Sequence, residues 1–474
     1  MTAIAPTTEL KRTISSAGSQ TKWGASAWVK QMYSNNSQSQ PVYCSSKSDT
    51  TGNLRGIFVT SDDKLQVAYY DGGYQFRIET NRLLRDQSAF YHICIAYDSS
   101  QATAADRIKI YINGVLETSF STSTYPAQNA TYNFFGTDIT QLIGSLREGS
   151  TICNSCVISH IHVTDGYCYP ASSYGSTDAT TGLWKINTNP SVTYGTNGFF
   201  LLKNDAALTD RSGQGNNFTL GSGTITATKD CPSDNFCTFN PLYRDDSSDI
   251  RYSNGNTTVS NVDTVWESTY GTLGFTKGKF YWELKIEALN SSNGYGNAGI
   301  QCIDKVFAGS GTGMGFAGNT NANFTANTAS AGMEVDYRGG NNNNVISGGS
   351  NVGSSGSAGV DWSNGDVIGF AVDMDNRALY MHKNGTYLTL GGNVGVPTSG
   401  ASKTGACAIP TIVSTCSPAA GIYGANAIFN YNFGNGMFKT TAVASAGSNA
   451  SNIGTFEYDV PAGYTALSTK GLNE

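Results

Sequence analysis

Gly278–Ile286 reads GKFYWELKI and Gly365–Gly385 reads GDVIGFAVDMDNRALYMHKNG, and these two stretches decide the fold class. In the first, Phe280, Trp282, Leu284 and Ile286 share one parity, while Lys279, Glu283, Lys285 and Glu287 share the other. That is the period-2 alternation of a strand with one buried face, and it predicts a solvated polar face carrying Glu283, Lys285 and Glu287. In the second, Val367–Asp373 and Ala378–His382 are strands about an Asp-Met-Asp-Asn turn, and Asn384-Gly385 turns the chain again. Such a hairpin ladder belongs to an all-β protein.

The pattern extends outward toward the N-terminus. Ser26–Lys30, Gly56–Val59, Leu65–Tyr70, Tyr74–Glu79, Tyr91–Tyr97, Arg107–Ile112, Val115–Glu117, Leu142–Gly144 and Val157–Val163 all read as strands. Asp71-Gly72-Gly73 and Asn113-Gly114 are hairpin turns between them. Short strands at regular spacing with Gly, Asn and Asp turns predict antiparallel, jelly-roll-like β-sandwiches. A chain of 474 residues is too long for one ordinary core. The expected plan is a polar arm over 1–20, a first sandwich over 21–165, a Gly/Asn-rich packed connector over 166–240 and a second sandwich over 241–474. The connector carries Trp184, Phe199, Phe200, Phe218 and Phe239, too many large apolar groups for a free linker.

Charged residues make up 14% of the chain, against about 25% in ordinary soluble domains. The net charge of −6 is spread without a basic block, which argues against nucleic-acid binding. No apolar run reaches the roughly 18 residues of a membrane span. The first residues, MTAIAPTTELKRTISSAG, lack the apolar core and cleavage site of a signal peptide.

Two resemblances overlie this reading. Gly278–Ile286 and Gly365–Gly385, with Asn430–Phe438 (NYNFGNGMF) and Val460–Leu467 (VPAGYTAL), resemble a SPRY domain of the kind found in bacteriophage structural proteins. Phe90–Asp98 and Arg107–Val115 resemble a concanavalin-A-like, laminin-G-like domain. The insert Ser99–Asp106 is similar to that of laminin-G-like domains in marine phage virion proteins. The match continues through Asp178–Trp184, Tyr194–Phe199, Asp210–Phe218 and Asn235–Leu242. The resemblances imply a non-enzymatic protein on the surface of a virion, a fibre, spike or decoration that contacts host glycans, with a purely structural capsid or tail component as the alternative and a glycan hydrolase of concanavalin-like fold behind it. They also imply other virion proteins as partners, docked through the N-terminal arm, and a homo-oligomer, since display proteins are commonly symmetric.

Candidate sites follow from chemistry. Tyr69, Tyr70 and Tyr74 flank the Asp71–Gly73 tip, Tyr295 lies in a Ser/Asn/Gly turn, and Arg338 opens a long polar loop. Aromatic faces stack on sugar C–H surfaces, so these are the expected glycan contacts. Glu334 and Asp336 share a strand face about 6–7 Å apart. A glucanase of this fold would carry a third acid where Arg338 stands, so an ion cluster is expected there instead of catalysis. Cys153, Cys156, His160 and His162 are weak zinc candidates, with both histidines expected to project outward from one strand face. Cys153/Cys156, Cys231/Cys237 and Cys407/Cys416 are near enough in sequence to form disulfides. Asp373, Asp375 and Asn376 read as a hairpin turn. No cofactor is expected, and calcium held by scattered Asp side chains and loop carbonyls of the first domain stays open.

Overall fold

The computed structural model describes residues 2–4, 8–31, 39–47, 53–137, 139–152, 156–203, 206–244, 249–263, 266–289, 295–302, 330–336, 343–348, 350–354, 361–411, 413–424, 427–444 and 446–473. They form two compact units, Met1–Ser233 and Asp234–Glu474. Nearly all regular structure is antiparallel β, and the only helices among the described residues are 3₁₀ turns. None of these is long and apolar enough to cross a membrane.

The first unit is a sandwich of two eight-stranded sheets. Lys22–Gln31 is central in one, between Tyr91–Asp98 and Cys156–Asp165. The other runs from Phe120–Thr124 through Tyr74–Leu83, Lys64–Asp71, Asn53–Val59, Gln40–Lys47 and Ile139–Ile143 to Glu9–Thr13 and Thr219–Ser222. Strand alternation sends Leu65, Val67 and Tyr69 inward from Lys64–Asp71, onto a core with Trp23, Tyr97 and Phe134. The Asn113-Gly114 turn has left-handed φ at both residues, 49° and 80°, as a two-residue hairpin requires.

The N-terminal segment is not an arm in this structure. Thr2–Ile4 pairs with Cys156–Asp165 and with Ile225–Ala227, while Glu9–Thr13 pairs with Ile139–Ile143 and Thr219–Ser222. Leu10 and Ile14 are core residues. The inward position between them is Arg12, bonded to Gln141 Oε1 at 2.6 Å, and that charge hides the strand's alternation in the sequence. Residues 166–233 likewise belong to this unit and do not form a separate connector. Phe199–Leu201 extends a sheet, and buried Lys30 pairs with buried Asp230 at 2.9 Å.

The second unit is also a two-sheet sandwich. One sheet places Cys416–Tyr423 between Trp266–Gly271 and Tyr295–Cys302. The other places Lys279–Ala288 between Ile428–Asn432 and Val367–Asp373, which pairs in turn with Ala378–Lys383. Trp282 stacks on Phe370 at 5.8 Å in the interior. The opposite face of Lys279–Ala288 is solvated only in part: Lys285 and Glu287 are half-buried, but the portion around Tyr281 and Glu283 is covered. Tyr281 packs there beneath Ile453, Phe456, Val460 and Tyr464 of the C-terminal segment, and Glu283 is 0% exposed. A second apolar layer therefore covers this part of the outer face of the sheet.

Candidate functional site

The hairpin of Lys64–Asp71 and Tyr74–Leu83 separates the three expected tyrosines by strand alternation. Tyr69 points inward, is 5% exposed and stacks on Tyr132 at 4.8 Å, so it is a core residue and not a surface contact. Tyr70 and Tyr74 are opposite one another at the hairpin end, with an edge-to-face contact at 5.1 Å. Tyr74 is 46% exposed, and the Arg77 guanidinium lies 5.1 Å from its ring centroid.

Arg77 is itself held in place. Its Nε donates to Gln66 Oε1 at 3.1 Å, and Nη2 reaches Glu79 Oε2 at 2.6 Å. Burial pushes the Glu79 carboxyl up, but hydrogen bonds from Ser121, Arg77 and Lys64 outweigh it and leave the pKa below the ordinary value. Glu79 is therefore ionised at neutral pH and fixes the cation beside Tyr74. The result is an exposed aromatic face with an edge-on ring and a positioned guanidinium around it.

Tyr295 begins a strand, opposite Asp336 and Tyr423, and does not lie in a turn. Its side chain, like those of Glu334 and Asp336, lies outside the described residues, as do Arg338 and Cys153. Of the zinc candidates, His160 and His162 are buried and do not project outward. His160 has φ 48° in a bulge where the strand register shifts, and its Nδ1 lies 2.7 Å from Ser159 Oγ. His162 stacks on Phe200 at 4.0 Å and bonds Tyr194 Oη at 2.9 Å. Burial lowers the pKa of both, that of His160 to about 4. Cys156 is buried, and no group of three or more metal-ligating side chains occurs among the described residues.

The Cys231–Cys237 and Cys407–Cys416 pairs are not joined as disulfides. The Cys231 sulfur sits 3.2 Å from Ser233 Oγ, Cys407 reaches Ile346 O at 3.4 Å, and Cys416 reaches Met374 Sδ at 3.5 Å. In the hairpin turn, Asp373 pairs with Lys279 at 3.0 Å and accepts from Asn376, while Asp375 accepts from Gly278 N at 2.8 Å. These carboxylates bind their own turn.

A polar constellation that the sequence reading missed lies under the C-terminal segment of the second unit. Gly385 N donates to His382 Nδ1 at 3.1 Å, so the ring proton sits on Nε2 and is donated to Tyr281 Oη at 2.7 Å. Tyr281 then donates to Glu283 Oε1 at 3.1 Å. The carboxylate takes three further donors: Tyr458 N at 2.8 Å, Glu457 N at 2.9 Å and Asn432 Nδ2 at 3.1 Å. Burial lowers the His382 pKa to about 4, which keeps the ring neutral. Burial also pushes the Glu283 carboxyl up to about 7, against the pull of its four hydrogen bonds.

The ring of His382 lies over Gly369, where an added Cβ would sit 1.9 Å from Nε2. Gly369→Ala is expected to cost about 3 kcal/mol, the upper end for overpacking, because moving the ring breaks the Tyr281–Glu283 chain. Urea denaturation of the variant, followed by fluorescence, checks this. The apolar spacing Ile453, Phe456, Val460, Tyr464 was the signal available in the sequence for a covering segment.

Among solved structures, the SPRY domain of human HERC1 is similar at 16% identity and a TM-score of 0.28, over 41% of this chain and 96% of its own. The TRIM65 PSpry domain gives 10% identity and 0.28, over 41% and 91%. A heptameric SAP-like pentraxin from Limulus polyphemus gives 12% and 0.28, over 43% and 94%. No curated protein matches the chain significantly. Residues 11–147, most of the first unit's sandwich, match the family model described as the concanavalin A-like lectin/glucanases superfamily.

Proposed function

We propose that this chain is a non-catalytic recognition protein displayed on a bacteriophage particle, and that its first unit contacts a host-surface glycan through the face around Tyr74. The carrying observation is the 46%-exposed Tyr74 ring, framed by Tyr70 and Arg77, on a sandwich matching a lectin/glucanase family. An aromatic face takes the C–H surface of a sugar, and the guanidinium beside it donates to hydroxyl oxygens. The display role is supported by the laminin-G-like and SPRY-like blocks that run through the sequence. A non-catalytic role is supported by the chemistry of the carboxylates. Arg338 occupies the third position of the Glu334/Asp336 set, and Glu283, whose pKa is raised, is wholly enclosed and has no access to a substrate.

A glycan array with the full chain tests the recognition reading, and labelling of intact particles by electron microscopy tests display. Saturable binding that falls about tenfold in Tyr74→Ala, the equivalent of one lost stacking contact, is the expected result. Full retention of binding in that variant would move the site away from the hairpin. Density buried inside the particle, with no glycan bound, would leave a structural component.

A further inference from the structure

In the second unit, the strands Tyr295–Cys302 and Cys416–Tyr423 end on two cysteines set directly across from one another. The register runs without a shift from Tyr295 opposite Tyr423 to Cys302 opposite Cys416. On its other side Cys416 exchanges two bonds with Phe275: Cys416 N donates to Phe275 O and Phe275 N to Cys416 O, both at 2.8 Å. In an antiparallel sheet the N–H and C=O of one residue point to the same side, so both backbone groups of Cys416 turn away from Cys302. The two cysteines therefore make a non-hydrogen-bonded pair. Such pairs bring opposed Cα atoms to about 4.5 Å, inside the window of about 4.4–6.8 Å that a disulfide needs. The side chain of Cys302 lies outside the described residues, and the backbone register is what places the pair.

We propose that Cys302 and Cys416 are a cross-strand disulfide pair, closed by exchange with a small-molecule disulfide when the second unit folds in an oxidising medium. The thiolate of one cysteine attacks the small disulfide, forming a mixed disulfide and releasing one small thiol. The thiolate of the other attacks the protein sulfur of that mixed disulfide and releases the second small thiol. The pair loses two protons and two electrons, and the small disulfide is reduced by the same two electrons. Cys416 is 0% exposed, so closure belongs to folding and needs no passage into the finished core. Its other sulfur neighbours do not compete. Cys407, nearest to it in sequence, is paired with Leu379 in the opposite sheet and its sulfur reaches Ile346 O. The Met374 thioether, 3.5 Å from Cys416 Sγ, has no thiol to oxidise. The bond would close a loop of about 115 residues, long enough to restrict the unfolded chain strongly. This inference concerns the second unit and does not rest on the glycan reading.

The test uses the full chain, unfolded in urea with dithiothreitol and refolded in a buffer of reduced and oxidised glutathione. After alkylation and digestion without reductant, the peptide holding Cys302 should be found linked to the one holding Cys416. In scanning calorimetry the second unit's midpoint should lie about 10 °C higher in the oxidised chain than in the reduced one. Cys302→Ala should abolish that difference, and Cys407→Ala should leave it in place. If Cys302→Ala does not fold, the peptide map of the native chain decides by itself. Recovery of Cys416 in alkylated form after refolding would overturn the proposal. Linkage of Cys416 to any cysteine other than Cys302 would overturn it as well.

Discussion

Replacing Glu283 with alanine is expected to destabilise the second unit by about 3–5 kcal/mol, the range for removing one partner of a buried charged network. The carboxylate accepts from Tyr281, Asn432, Glu457 and Tyr458, and truncation leaves all four donors without it in a site that excludes water. Each enclosed, unsatisfied donor costs about 1–3 kcal/mol, partly recovered by relaxation or an entering water. Two of the four are backbone N–H groups of the C-terminal segment, so the covering layer of Phe456 and Tyr464 should loosen first. Hydrogen exchange confined to 453–467 in the variant checks that order of events.

The same residue sets a pH dependence. Burial holds the folded carboxyl near 7, above its ordinary 4.5, so the folded chain binds this proton more tightly than the unfolded chain does. Its contribution is fully present below about pH 4.5 and is lost as the pH rises through about 7. A difference of that size is worth about 3 kcal/mol. Urea melts of the native chain and of Glu283→Gln at pH 4.5 and 7.5 isolate the term, because the other titrating groups are common to both. The native chain should lose about 3 kcal/mol more than the variant between the two values. Equal losses would mean that Glu283 ionises on folding as freely as in water.

Asp165→Ala is expected to cost the first unit about 3 kcal/mol. This buried carboxylate accepts Ser19 N at 2.7 Å, Asn197 N at 3.0 Å and Asn197 Nδ2 at 3.1 Å. It ties the N-terminal segment to the Tyr194–Asn197 turn, and Asp165 N donates back to Tyr194 O at 2.7 Å. Three donors lose one acceptor group at once, and charged acceptors carry the larger share of hydrogen-bond stabilisation. Denaturation of the variant should move the first unit's transition and leave that of the second unit in place. An unchanged first transition would show that solvent replaces the carboxylate without cost. Asp165→Asn keeps the shape with one acceptor oxygen and should fall between the two.

Position 165 is also where strand patterning alone would end the first sandwich. The chain does leave its strand there, at the end of Cys156–Asp165. Yet the flanking segments, 8–20 and 166–233, are joined to the sandwich by this side chain, by the pairings of Glu9–Thr13, Phe199–Leu201 and Thr219–Ser222, and by the Lys30–Asp230 pair. A segment of polar, Gly-rich text gives no periodic signal when its anchors are single aromatics and hydrogen bonds.

The sequence by itself determined the β class, most strand positions and the hairpin turns. Period-2 alternation and the left-handed Asn-Gly pairs are local properties, and Asn113-Gly114 and Asn384-Gly385 turn as their residues require. It also placed Phe280, Trp282, Leu284 and Ile286 on one buried face. What it did not determine is what covers the other face. Glu283 reads as solvated because charge alternates around it, and only the C-terminal segment, about 170 residues later, encloses it and supplies two of its four donors. Tyr69 and Tyr74 differ in the same way, one in the core and one in water, through a register shift beside the turn. Local pattern assigns a residue to a face of its strand. Long-range packing decides whether that face meets water, and with it whether a side chain recognises, titrates or only fills space.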